Sequence, residues 1–318
     1  MRVEPLTPVR TNPLRTRVVV FLLMLAGTSL WWSQPAHASG DQQLCAPSSN
    51  AGGVATRRAT LAGVPAILRM PAHTTRPPII LWHGFGPPAS AAAIMEALPL
   101  DEVAAVKVYL DLPMFGERAP AGGTKELARR QAKDVGLEVF EPIVVGAADE
   151  LPRVVQALEQ QGCAKRADAI GLVGFSAGGA AALYAMSQRE QPVDAAVLIN
   201  PSTGLTASVQ AFEQATGHHY AWSPASRALA RQTDAAGHAA EIAGTVPPPA
   251  LLFLQGADDT VMDSRSMTEL DASLQKFYRR SEQRLKVTRL PGVSHQWAAD
   301  PQALASVRQA VAAWFNAY

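Results

Sequence analysis

The chain has 318 residues, 48% hydrophobic and 17% charged, which is enough apolar material for a large core and too much for a disordered chain. Its 28 basic and 27 acidic residues give a formal net charge of +1 with no strongly basic stretch, so a nucleic-acid partner has no electrostatic footprint. Two cysteines are too few for a disulfide-rich scaffold or a four-cysteine zinc site.

The amino terminus reads as an address. Arg2, Arg10, Arg15 and Arg17 precede an apolar run from Val18 to Trp32, and Ala36-His37-Ala38 follows with small residues where a signal peptidase reads. The run is shorter than the roughly 20 residues that span a bilayer. Residues 1–38 are therefore expected to be a cleaved secretory signal, leaving a mature chain in the periplasm or the medium with no stable membrane span. Gln42-Gln43-Leu44 lacks the small residues that a lipoprotein site needs before Cys45. Cleavage removes four arginines and Glu4, which takes the formal charge to −2. In an oxidising compartment Cys45 and Cys163 are expected to pair, the alternative being two free or buried thiols.

Residues 39–59 read as a tail, and 60–318 as one domain. Short apolar runs there alternate with longer helical patterns. Strands are expected at Ala66–Met70, Pro78–Trp82, Val106–Leu110, Ala169–Val173, Ala195–Ile199, Ala250–Leu254 and Leu285–Leu290. Helices are expected at Ala89–Ala97, Lys125–Val135, Val144–Gln161, Ala177–Gln188, Ser264–Phe277 and Pro301–Phe315. Continuous apolar strands between helices imply an α/β fold with a parallel sheet covered on both faces. Ligands on such sheets sit at the carboxyl ends of the strands. Residues 202–246 break the alternation with helical pieces at Ala225–Gln232 and Ala235–Ile242, and read as an insertion over that edge.

Gly174-Phe175-Ser176-Ala177-Gly178 has the form G-x-S-x-G, placed between a strand and a helix. A serine on so sharp a turn has strained backbone angles, and its flanking residues crowd each other unless they are small. By chance such a pentapeptide turns up in about one ordinary chain in ten, so its weight comes from that context. The Ala177 amide opens the helix and points where an oxyanion would form. A second donor is available from Phe85 in the His83-Gly84-Phe85-Gly86 loop, with His83 shaping that loop rather than moving protons.

A serine needs a base, and the base needs a carboxylate to hold its tautomer. His218, His219 and His238 lie in the insertion, whereas His295 ends the Pro291-Gly292-Val293-Ser294-His295 loop after a strand and is the expected base. One strand earlier, the loop after Leu254 offers Asp258 and Asp259; Asp259 is the choice and Asp258 the alternative. Asn200, ending the strand before that, cannot carry the charge. Asp111 precedes the serine and reads as structural. Trp82, Met114, Phe115 and Trp297 flank these loops and are expected either to line an apolar acyl pocket or to pack in the core. No H-E-x-x-H, His/Asp cluster, P-loop or dinucleotide turn is found, so no metal and no cofactor are expected.

In this order the landmarks resemble the α/β-hydrolase superfamily, with Asp111-Leu112-Pro113-Met114-Phe115-Gly116 as a weaker fifth match. The resemblance covers about residues 60–318, with 202–246 where the family places its cap or lid. It implies a mostly parallel eight-stranded sheet, Ser176, Asp259 and His295 as triad, Phe85 and Ala177 as oxyanion donors, and hydrolysis through an acyl-enzyme without a cofactor. Phe85 interrupts the glycines of an extended HGGG loop, and a serine stands where dienelactone hydrolases carry cysteine. The serine followed by Gly178-Gly179 is more like general carboxylesterases and exported peptidase-like members. The expected function is an exported serine esterase acting on a small-molecule ester. The alternatives are a peptidase or amidase of the same fold, or a non-catalytic binding protein that keeps it.

Overall fold

The computed structural model describes residues 43–45 and 53–318. The expected signal sequence lies outside the described residues, as does most of the tail. The strands are β1 (Ala55–Leu61), β2 (Val64–Met70), β3 (Ile79–Trp82), β4 (Lys107–Leu110), β5 (Ile170–Phe175), β6 (Val193–Ile199), β7 (Ala250–Gly256) and β8 (Leu285–Leu290). The helices are α1 (Ala91–Ala97), α2 (Gly123–Asp134), α3 (Gly146–Gln160), α4 (Ala177–Gln188), α5 (Leu205–Thr216), α6 (Pro224–Gln232), α7 (Ala239–Ala243), α8 (Ser264–Tyr278) and α9 (Pro301–Ala317).

One eight-stranded sheet runs in the order β1-β2-β4-β3-β5-β6-β7-β8. β1 and β2 are antiparallel, as are β2 and β4, and the remaining pairs are parallel. This is the mostly parallel α/β sheet expected. Strand alternation sends Ile80, Trp82, Leu172, Leu198 and Phe253 to one face, under α3, α4 and α8. Ile79, Leu81, Val173, Val197 and Leu254 face the other way, under α1 and α9. Both faces are buried, which is why these strands are continuous apolar runs.

Three elements depart from the reading of the sequence. β1 occupies 55–61, so the sheet begins inside the expected tail. Its outward Arg57 and Arg58 disguise it, and the signal was the two-residue turn at Ala62 and Gly63, both with positive φ, that pairs it with β2. Between α2 and α3 the expected gap is filled by a π-helical segment, Val135–Val145. Its first turn is capped by Asp134, whose carboxylate accepts from the amides of Gly136 and Leu137. The wider π turn accommodates Pro142, which brings no N–H to a helical ladder. The third element is α5, which opens the insertion. The insertion does not act as one cap: α5 and α6 contact the π-helical segment, whereas α7 packs on α4 and α8 within the helix layer. Of the insertion, it is the stretch from Ser202 through α5 that borders the site.

Cys45 and Cys163 form a disulfide. It fastens the segment 43–45 to the end of α3, where the Leu44 amide also donates to the Gln161 side chain and the Cys45 amide to the Gln161 carbonyl. No described helix is long and apolar enough to cross a membrane.

Candidate active site

Ser176 sits between β5 and α4 with φ 53° and ψ −114°, a conformation that a non-glycine residue holds only under compulsion. The neighbouring glycines supply it. A Cβ on Gly174 would lie 2.4 Å from the Gly178 carbonyl oxygen, and one on Gly178 would lie 2.5 Å from the carbonyl oxygens of Trp82 and His83. The Ser176 amide donates to the Ile199 carbonyl of the neighbouring strand at 3.1 Å, which pins the turn to the sheet. The side chain projects from the carboxyl edge where the parallel strands end.

His295 Nε2 lies 3.1 Å from Ser176 Oγ, and its Nδ1 lies 2.9 Å from Asp259 Oδ2. The Asp259 side chain has no exposed surface. Its other oxygen, Oδ1, accepts from the amides of Val261 at 2.8 Å and Met262 at 3.1 Å. Asp258 is exposed and its carboxylate takes no part, so of the two aspartates it is Asp259 that meets the histidine. A neutral imidazole that donates from Nδ1 to a fixed carboxylate presents a basic Nε2 to the serine. That is the arrangement that activates a hydroxyl nucleophile.

The loop after β3 closes the other side. A Cβ on Gly84 would lie 2.8 Å from the Phe175 ring, so only glycine lets this loop approach the nucleophile. His83 is fully buried. Its Nε2 accepts from the Leu112 amide at 3.1 Å, and Nδ1–H donates to the Gly84 carbonyl at 2.7 Å. Burial lowers its pKa, which keeps the ring neutral and in this tautomer. It staples the Phe85 loop to the loop after β4, as expected of a shaping residue. Asp111 is structural too: its carboxylate accepts from the Ala91 amide at the start of α1 and from the Glu117 amide. The amides of Phe85 and Ala177 take no protein acceptor among the described residues, and both residues border the cavity over Ser176.

That cavity has a volume of about 310 Å³. Val135 and Phe140 of the π-helical segment form one wall, Leu205, Val209 and Phe212 of α5 face them, and Met262 closes one end. Among the described residues no Asp, Glu, Lys or Arg lines it. The four pocket residues expected from the sequence are elsewhere. Trp82 is buried in the sheet face under α4. Trp297 is fully buried on the opposite face, edge-on to the Phe175 ring at 5.7 Å. Phe115 stacks on Phe85 at 5.5 Å, behind the oxyanion loop rather than in the cavity, and Met114 beside it does not border the cavity. Proximity in sequence to a catalytic loop says nothing of which side of the sheet a ring takes. The true walls come from the π-helical segment, well before the nucleophile in sequence, on one side, and from the insertion on the other. Among the described residues no group of three or more His, Cys, Asp or Glu side chains is placed to hold a metal ion.

Comparison with known proteins agrees with this geometry. No curated protein sequence matches the chain. Among solved structures, TT1662 from Thermus thermophilus superposes with a TM-score of 0.59 at 21% identity, over 82% of this chain and 98% of that one. Carboxyl esterase 2 from Tuber melanosporum gives 0.56 at 18%, over 84% and 87%. A puromycin-hydrolyzing peptidase from Mycobacterium tuberculosis gives 0.56 at 19%, over 82% of this chain and 39% of the longer one. At these identities the likeness establishes the α/β-hydrolase fold. Residues 146–318, more than half of the chain and inclusive of Ser176, Asp259 and His295, match the model of the prolyl oligopeptidase family. With its eight-stranded sheet and this site, the chain is a serine hydrolase of the α/β-hydrolase fold and belongs to the prolyl oligopeptidase family.

Proposed function

We propose that the protein is an exported carboxylic-ester hydrolase that works through a Ser176-His295-Asp259 triad and an acyl-enzyme. The observation that carries the ester reading is the cavity beside Ser176, mostly apolar and, among the described residues, without an Asp, Glu, Lys or Arg side chain. An enzyme that selects a peptide by its ammonium or carboxylate terminus needs an opposite charge to meet it. This cavity suits a neutral acyl group instead. At about 30 Å³ for each water-sized group, it takes on the order of ten heavy atoms.

In the proposed cycle His295 Nε2 takes the proton of Ser176 Oγ as the oxygen attacks the ester carbonyl. The amides of Phe85 and Ala177 receive the developing oxyanion, a contribution worth about 100–1,000-fold in rate for each donor. His295, held by Asp259, then protonates the departing alcohol. Water, deprotonated by the same histidine, releases the acid and restores the serine.

Export is part of the proposal. It rests on the arginine-rich, apolar and small-residue order of residues 1–38, and on the Cys45–Cys163 disulfide, since such bonds persist mainly in oxidising compartments. Cell fractionation with amino-terminal sequencing tests it, and a mature chain starting at Ser39 is expected.

The catalytic proposal is tested with a fluorophosphonate, wild type beside Ser176→Ala, read by intact mass. One adduct that the variant lacks is expected, with hydrolysis of p-nitrophenyl esters and little turnover of aminoacyl amides. Faster turnover of the amides would replace the ester reading by the peptidase one, and a well-folded protein that takes no label would favour a binding protein.

A further inference from the structure

Asn200 follows β6, is completely buried, and has a backbone φ of 41°, in the left-handed region. Its side chain bridges two loops that carry different parts of the site. Oδ1 accepts from the Gly256 amide at 2.7 Å, at the end of β7. Nδ2 donates to the Ser294 carbonyl at 3.1 Å, one residue before the base. The Asp259 amide donates back to the Gly256 carbonyl at 3.3 Å, and the Asn200 amide donates to Leu254 at 2.8 Å. On its other side, Ile199 accepts the Ser176 amide. The end of β6 thus touches the supports of nucleophile, acid and base.

From this we infer that Asn200 is a positioning residue that sets the Asp259–His295 geometry by clamping the two loops together with one carboxamide. The inference rests on the triad reading above. Two requirements select asparagine. The bridge needs an acceptor toward an N–H and a donor toward a carbonyl on the same short side chain, which an amide supplies and a carboxylate does not. The backbone conformation also suits it, since asparagine enters the left-handed region more readily than other residues with a Cβ. The histidine and aspartate come from separate loops with no covalent tie near the site, so their separation depends on such cross-loop bonds. A displacement of about 1 Å in a catalytic group costs on the order of a hundredfold in rate.

Two variants test this. Asn200→Asp keeps size and the acceptor to Gly256 but turns a carboxylate on the Ser294 carbonyl. Asn200→Gly removes the bridge and accepts the positive φ, so the fold is retained. For both, kcat for a p-nitrophenyl ester and the rate of fluorophosphonate labelling are expected to fall about 10–100-fold with KM within about twofold. The low-field proton resonance of the His295–Asp259 hydrogen bond is expected to shift or broaden, a readout that needs no substrate. A fall in melting temperature with kcat, labelling rate and resonance all unchanged would show a purely structural residue and overturn the inference. If instead the wild type takes no label while the resonance still responds to both variants, the ester-hydrolase reading fails and the clamp stands.

Discussion

Asp259→Asn is the change whose consequence the geometry fixes most tightly. Oδ1 of Asp259 is held by two amide donors, Val261 and Met262. An asparagine there must leave its carbonyl oxygen on those donors, or bury an NH2 group against two N–H groups. Its NH2 is then forced toward His295 Nδ1, 2.9 Å away in the wild type. Two donors cannot share that contact, so the imidazole moves its proton to Nε2 and presents a bare Nδ1. The nitrogen that faces Ser176 at 3.1 Å then carries a proton and can no longer take one. The same substitution in a serine protease triad lowers kcat about 10⁴-fold, equivalent to about 5 kcal/mol of transition-state stabilisation, and the same order is expected here. KM should stay within a few fold, because Asp259 does not border the cavity. Asp258→Asn, on an exposed side chain, should change kcat by no more than about twofold. Steady-state hydrolysis of a p-nitrophenyl ester, with circular dichroism to confirm folding, measures both. Retention of a tenth or more of wild-type kcat in Asp259→Asn, or an equal loss in Asp258→Asn, would refute the tautomer argument.

Other consequences are open to measurement. Cys45→Ser with Cys163→Ser opens a loop with a sequence separation of 118 residues, for which the loop-closure relation gives a loss of up to about 5 kcal/mol. Denaturant unfolding should show that loss, with unchanged hydrolysis by folded protein, and an unchanged midpoint would mean that the bond constrains nothing. Lys107 is fully buried on β4 with its ammonium donating to the Val103 carbonyl, and desolvation pushes its pKa down to about 8. Because the folded value lies below the unfolded one, the charged form penalises the fold fully below pH 8, and the penalty of about 3 kcal/mol is relieved as pH rises toward 10.5. Lys107→Met should therefore raise stability at pH 7 by about 2 kcal/mol after the lost hydrogen bond, and flatten the pH dependence above 8; a destabilised variant would count against it. Phe212→Ala should lengthen the cavity and shift the preference among p-nitrophenyl esters toward longer acyl chains, and an unchanged profile would remove α5 from the acyl site.

Much of this protein is written locally. The strands of the parallel sheet are continuous apolar runs because both faces of the sheet are covered, and a reader sees that without knowing what covers them. The G-x-S-x-G turn is legible because its requirement is steric and confined to a few residues. The position of His295 follows from chain order along a parallel sheet. What the local pattern does not hold is any choice made by contact between distant segments. Sequence favours Asp259 over Asp258 without excluding the alternative; two amides beyond them and a histidine 36 residues away are what distinguish them in the fold. Trp82 and Trp297 flank active-site loops yet lie in opposite core layers: alternation along β3 sends Trp82 to one face, and the short helical turn after His295 carries Trp297 to the other. The cavity over Ser176 is made where the π-helical segment meets α5, two elements that no periodicity announces as partners. Asn200 looked only like the place where an acid was missing. Its role exists because two loops, joined to nothing near them in sequence, arrive on either side of one carboxamide, and only the folded sheet brings them there.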